Sequence, residues 1–146
     1  MVKDALKFWQ SFLKEMVSIG GENLPRSIAT KLGSKLAQLY KARGLTDGIE
    51  LPLKQMYTAL KAQPTFNKLD ENTYRISVKH PRKFCPIGGA YNPENVPIFQ
   101  KNICIPYTMG FLNGLSSEFK YEAEIEECII ASNKRLCQYC LKLKKK

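Results

Sequence analysis

Thr73-Tyr74-Arg75-Ile76-Ser77-Val78-Lys79-His80 alternates Tyr74, Ile76, Val78 and His80 with Thr73, Arg75, Ser77 and Lys79, the period-two pattern of a strand with one buried face. The turn residues Asp70-Glu71-Asn72 stand before it, and a short strand around residues 65–69 stands before them, so the middle of the chain reads as a hairpin. Upstream of Pro64 the period is helical. Residues 2–19 space Leu6, Trp9, Phe12, Leu13, Met16 and Val17 along one helix face and stop at Gly20-Gly21. A second helix opens near Pro25, carries a narrow apolar stripe of Ile28, Leu32, Leu36, Leu39 and Tyr40 that contains Gly33, and closes at Gly44. A third, over residues 52–62, carries Leu53, Met56, Tyr57 and Leu60.

Downstream, residues 81–100 hold four prolines and the pair Gly88-Gly89, which predicts a long irregular connection of the kind that often carries function. Cys104 to Leu115 returns to helical spacing, with Pro106 near its start. Residues 119–131 and 136–143 then read as two strands about Ser132-Asn133-Lys134-Arg135. The order ααα-ββ-α-ββ predicts an α+β fold, with N-terminal helices packed on an antiparallel sheet of about four strands. It forms one domain over residues 1–146, helical to about residue 62 and sheet-bearing after it.

Composition fits that plan. With 146 residues and 44% hydrophobic side chains, the chain buries roughly two thirds of its unfolded surface and needs no disulfide or metal merely to hold a core. It contains no run of 18 apolar residues, and Met1-Val2-Lys3-Asp4 does not open a secretory signal, so a cytoplasmic protein is expected. Lys plus Arg number 23 and Asp plus Glu 13, a net charge of +10 that favours phosphates or anionic headgroups as partners. Part of the excess is the tail Lys142, Lys144, Lys145 and Lys146, and no basic cluster interleaves with aromatics, so nucleic acid is disfavoured as a partner. Neither phosphate-binding glycine motif is present. His80 and Cys85 lack an evident third group to orient them, which argues against a Cys-His hydrolase.

The cysteines are the most informative local feature. A two-residue turn at Ser132-Asn133 places Cys128 across from Cys137, with Cβ atoms about 5 Å apart. Strand alternation puts Glu124 and Glu126 on the face of Cys128, and Cys104 opens the preceding helix, where the dipole favours a thiolate. Cys104, Cys128, Cys137 and Glu124 thus make a candidate tetrahedral zinc set, against the alternative that each Cys is a small buried hydrophobe. Cys137 and Cys140 point to opposite faces of a strand and do not form a redox pair.

The stretch Cys104-Ile105-Pro106-Tyr107-Thr108-Met109-Gly110-Phe111-Leu112-Asn113-Gly114-Leu115, with the acidic strand Glu122 to Cys128 and then Cys137-Gln138-Tyr139, resembles the four-vinyl-reductase domain family. That family is related to TRAPP vesicle-tethering subunits and to haem-based nitric oxide sensor domains. The resemblance implies an α/β sandwich, usually a homodimer, whose apolar cavity between helices and sheet holds a hydrophobic small molecule or lipid. It also implies a zinc site that carries over onto Cys104, Cys128 and Cys137. Two features depart from the pattern: the acidic ligand three residues before the second Cys is Ile125 here, and Ser132-Asn133 replaces the hairpin glycine. Glu124 or Glu126 substitutes only if a bulge re-aims it, and Cys85 is another candidate ligand.

Trp9, Phe12, Met16, Tyr40, Tyr107 and Phe111 are the candidate lining of an apolar pocket, although each also suits an ordinary core. Gly110 and Gly114, about one turn apart, clear one helix face for close approach. The expected function is non-enzymatic binding of a hydrophobic molecule as sensor or scaffold. The alternative is a dimeric tethering subunit that meets an anionic membrane or a protein through a basic face. A reductase role follows only from the family's name.

Overall fold

A computed structural model describes residues 2–45, 48–81, 94, 96–129 and 135–146, with the side chains of residues 2–7, 9 and 10 outside that description. Three helices open the chain: α1 (Val2–Gly20), α2 (Asn23–Ala42) and α3 (Glu50–Ala59). Gly21 ends α1 at φ +75°. Past α2, Gly44 at φ +74° donates its N–H to Lys41 O and Leu45 donates to Tyr40 O, the paired bonds that satisfy the last carbonyls of a helix. The same pair closes α3, from Lys61 to Thr58 O and from Ala62 to Tyr57 O. Here the left-handed residue is Lys61 at φ 60°, where glycine is usual.

β1 (Gln63–Asp70) and β2 (Thr73–Lys79) form the expected hairpin, and Asn72 N–H donates to the Asp70 carboxylate across its turn at 2.8 Å. β3 (Phe119–Glu127) and β4 (Leu136–Lys145) complete an antiparallel sheet of order β1-β2-β4-β3. Its inner face carries Phe66, Ile76, Val78, Tyr121, Tyr139, Leu141 and Leu143, packed with Leu53 and Met56 of α3 and Ala37 and Tyr40 of α2. Its outer face carries Arg75, Ser77, Glu122, Glu124, Gln138 and Lys142, which are exposed or half-buried. The fold is α+β, with helices on one face of a four-stranded sheet.

Two local expectations are corrected. The helix expected from Cys104 begins earlier: α4 (Val96–Phe99), a π-helical turn (Gln100–Cys104) and α5 (Ile105–Leu115) run on without a break. Pro106 has no N–H to give the carbonyl of Asn102, four residues back, and the ladder accommodates this with a wider turn in which Ile105 N–H reaches Gln100 O. Cys104 therefore sits inside a helical run, with its carbonyl accepting from Thr108 Oγ1 at 2.8 Å, and no free helix start lies beside its thiol.

The second correction concerns α2. Its buried residues are Pro25, Ala29, Gly33, Ala37 and Tyr40, while Ile28, Leu32 and Leu39 of the expected stripe point to solvent. The small face is inside because α5 approaches it backbone to backbone. A Cβ on Gly33 overlaps Tyr107 O and stands 2.8 Å from Phe111 N. One on Gly110 overlaps Thr30 O, and one on Gly114 stands 2.7 Å from Ala37 Cβ.

Candidate functional site

The tight α2–α5 crossing fixes the rings beside it. Phe111, fully buried, meets Tyr40 edge to face with centroids 5.6 Å apart. Tyr107, half-buried one turn away, has its phenol pKa raised first by burial and then by Tyr40. Three of the six candidate pocket residues thus come together, filling the space between α2 and α5 with their own rings. The α1 candidates lie apart: Phe12 is half exposed and stacks on the exposed Phe8 at 6.1 Å, Met16 is half-buried, and the Trp9 side chain is outside the described residues.

Beneath the start of α5 lies a cluster of phenols and thiols. Tyr57 of α3 and Tyr139 of β4 share a hydrogen bond 2.7 Å long between their hydroxyls. Tyr57 is half-buried as a residue, but its hydroxyl end is enclosed. Burial, then Tyr139, then the Cys137 and Cys104 thiols push its pKa well above the ordinary value of 10.0. The Tyr139 pKa is also raised, chiefly by burial. Neither Tyr57 nor Tyr139 stands out as a site residue in sequence, because each reads as part of an apolar stripe and only the fold pairs them across 82 positions.

A raised pKa means that the folded state holds the phenolic proton more tightly than the unfolded chain does. Stability from these tyrosines is complete below pH 10 and falls as pH rises above it, toward the folded-state values. Alkaline unfolding followed by circular dichroism should therefore set in above about pH 10, and Tyr57→Phe should blunt that dependence. A wild-type curve flat through this range contradicts the burial.

The cysteines and acids distribute as follows. In most of the β3–β4 ladder Ile125 lies opposite Tyr139 and Glu124 opposite Cys140, but a bulge at Glu126 brings Glu127 opposite Gln138. That last register is the one a two-residue turn at 132–133 predicts, and continuing it by one position sets Cys128 against Cys137. The turn residues, like Cys85, lie outside the described residues. Glu124 is exposed on the outer face beside Cys140, whereas Cys137 packs inward. The bulged Glu126 turns to Arg75, with Nε and Nη2 donating at 3.0 and 3.3 Å. Among the described residues no three His, Cys, Asp or Glu side chains are grouped to hold a metal. The donor set therefore fits zinc only in part: Cys104 and Cys137 both lie near Tyr57, and the expected carboxylate of Glu124 is exposed on the outer face.

At the π turn, Asn102 is wholly buried, accepting from Arg26 Nε at 3.2 Å and donating to Ile98 O at 3.0 Å. Glu22 ties Arg26 (3.0 Å) to Lys101 (2.8 Å), and its pKa is lowered first by the hydrogen bond from Lys101. The start of α2 is thereby fastened to the turn that carries Cys104.

Three concavities stand out among the described residues, and none is lined by the aromatic candidates. An open groove of about 550 Å³ follows α2 past Arg26, Thr30 and Ser34. A second lies beside the β1–β2 turn. The third, about 220 Å³, lies at the end of the sheet between Lys61, Lys79, His80 and Arg135. No described helix is long and apolar enough to cross a membrane.

No protein-family model matches the chain, and no curated protein matches it in sequence. Solved structures do share its shape. Trafficking protein particle complex subunit 3 from Naegleria fowleri, solved covalently bound to palmitic acid, aligns with a TM-score of 0.54 at 14% identity over 98% of this chain and 97% of its own. The phenol-responsive sensory domain of the transcription activator PoxR, solved with phenol, aligns with a TM-score of 0.60 at 15% identity over 94% of this chain and 74% of its own. At such identities the likeness establishes a common fold.

Proposed function

We propose that this chain is a non-catalytic binding domain, of the four-vinyl-reductase kind its motif resembles, that takes a hydrophobic small molecule or acyl chain against α5. The observation that carries the reading is the convergence of Tyr40, Tyr107 and Phe111 beside α5 with the hydrogen-bonded Tyr57 and Tyr139 and the half-buried Cys104 and Cys137. Apolar surface supplies the affinity and a few enclosed hydroxyls and thiols orient the guest. The palmitate and phenol held by the two structural relatives are guests of this chemical class.

A specific observation favours a second, compatible role in assembly. Leu24, Ile28, Leu32 and Leu39 are each about half exposed on α2, and Phe8, Phe12 and Ile19 are exposed on α1. An apolar stripe on one helix is self-complementary about a twofold axis, so a second copy of the chain is its proposed occupant.

Native mass spectrometry of protein purified under reducing conditions tests both. The expected species is a dimer that carries an organic adduct, and palmitic acid or phenol should raise the melting temperature. Leu32→Glu should give a folded monomer that still binds. A bare protein indifferent to both probes ends the ligand reading, and a wild-type monomer ends the assembly reading. The same spectrum reports zinc, which on Cys104, Cys128 and Cys137 requires a fourth ligand other than Glu124. Cys128→Ser should then lower metal content and melting temperature together, whereas a metal-free protein of unchanged stability removes zinc from the proposal.

A further inference from the structure

The ends of four segments meet at one edge of the sheet: the close of α3 at Lys61, the start of β1 at Gln63, the end of β2 at Lys79 and His80, and the approach to β4 at Arg135. They enclose the concavity of about 220 Å³ whose lining holds Lys61, Lys79, His80 and Arg135 and no carboxylate. Among the described residues, four cations elsewhere have carboxylate partners: Arg26 and Lys101 have Glu22, Arg75 has Glu126, and Lys144 has Glu122. Among the described residues, Lys61, Lys79 and Arg135 form no ion pair. The adjoining stretches 82–93 and 130–134 add Arg82, Lys83 and Lys134 to the positive charge, and the first acid after Pro81 is Glu94.

The site is also held in shape. His80 N–H donates to Arg135 O at 2.8 Å, and Arg135 Nη1 donates to Pro81 O at 3.4 Å, so the two strand ends are bound to each other. Lys61 occupies the left-handed closing position of α3, where glycine carries no steric penalty and a lysine adds a positive charge. Like charges gathered without counter-charges repel, and an anion relieves that repulsion.

We propose that this edge of the sheet is a binding site for a phosphate group, held by Lys61, Lys79 and Arg135 with His80 as an additional hydrogen-bond partner. An arginine fork beside two ammonium groups presents several donors to the oxygens of a tetrahedral dianion. Burial lowers the His80 pKa, so the imidazole is neutral at pH 7 in the free protein. The site is separate from the rings beside α5 and does not depend on the hydrophobic-ligand reading.

The test is titration of the full chain with inorganic phosphate at constant ionic strength, followed by nuclear magnetic resonance. His80 is the only histidine, so its imidazole proton is a single assigned reporter. Saturable shifts are expected at His80 and at the amides of Lys61, Lys79 and Arg135. Arg135→Gln and Lys61→Gly should each weaken binding about tenfold, the scale of one charge-assisted hydrogen bond. Lys61→Gly also relieves the left-handed backbone, so its melting temperature should hold or rise while binding falls, which separates the charge from the fold. Lys54→Gln, an exposed lysine of α3, should change neither. A soluble dibutanoyl phosphatidylinositol 4-phosphate that binds more tightly than inorganic phosphate identifies a lipid headgroup as the source, and equal affinity identifies a free phosphate. Shifts that do not saturate, or that survive Arg135→Gln unchanged, overturn the site.

Discussion

Replacing Gly110 by valine is expected to abolish folding at room temperature. Its α-carbon lies against the main chain of Thr30, where a β-carbon overlaps the carbonyl oxygen and stands 2.9 Å from the α-carbon. Main chain inside a helix has no rotamer to change, so relief requires α2 and α5 to separate. That separation uncovers Phe111, Leu112, Ala37 and Tyr40 together. Overpacking an ordinary core costs about 1–3 kcal/mol, and a forced separation of two helices exceeds that range in a domain whose whole stability is roughly 5–15 kcal/mol. Gly33→Ala should behave alike, since its β-carbon meets Tyr107 O from the other side of the same crossing. Urea denaturation monitored by far-ultraviolet circular dichroism measures both. Gly20→Ala is the comparison, because its β-carbon meets only the flexible Leu24 side chain at 3.5 Å and should be nearly neutral. A Gly110→Val protein that melts like the wild type would show that the crossing is looser than described.

Phe111→Ala is expected to cost about 3–5 kcal/mol, the range for truncating a buried aromatic, and to leave a ring-sized hole. The hole is bounded by Tyr40, which loses its edge-to-face partner. The variant also bears on function. An apolar cavity of this kind stays dry and accepts small aromatic molecules, so phenol at millimolar concentration should restore part of the lost melting temperature. The gain in the variant should exceed the one phenol gives the wild type, and equal gains would mean that the new hole takes no phenol. A destabilised variant that phenol does not help would mean that the neighbouring side chains collapse into the space.

The parts of the fold that were legible in the sequence are those in which a residue's pattern and its partner agree locally. Tyr74, Ile76 and Val78 alternate because β2 has one wet face, and the Asp70-Glu71-Asn72 turn follows from side chains two residues apart. The orientation of α2 was not legible. By hydrophobicity Ile28, Leu32 and Leu39 belong inside, yet Ala29, Gly33 and Ala37 are inside because a second backbone, some 77 residues further along the chain from Gly33 to Gly110, needs the room. The glycines in α5 signalled close approach without naming the partner. In the candidate site, spacing named Tyr40, Tyr107 and Phe111 together with Trp9, Phe12 and Met16, and it set Cys128 across from Cys137 without assigning them a face. The face of Glu124 was not, because one bulged residue at Glu126 reverses strand parity and no local motif marks it. The basic concavity was equally hidden, since Lys61, Lys79 and Arg135 look like scattered surface charges until four chain ends meet.

The wide turn at residues 100–104 also makes the helical run a record of its own length. A π turn holds one residue more than an α-helix of the same rise, and one residue is a rotation of about 100°. Val96 and Phe99 before the turn and Phe111 and Leu112 after it are all buried, a combination that depends on that extra rotation being present. Shortening this stretch by one residue would straighten the helix and swing its first turn off the core.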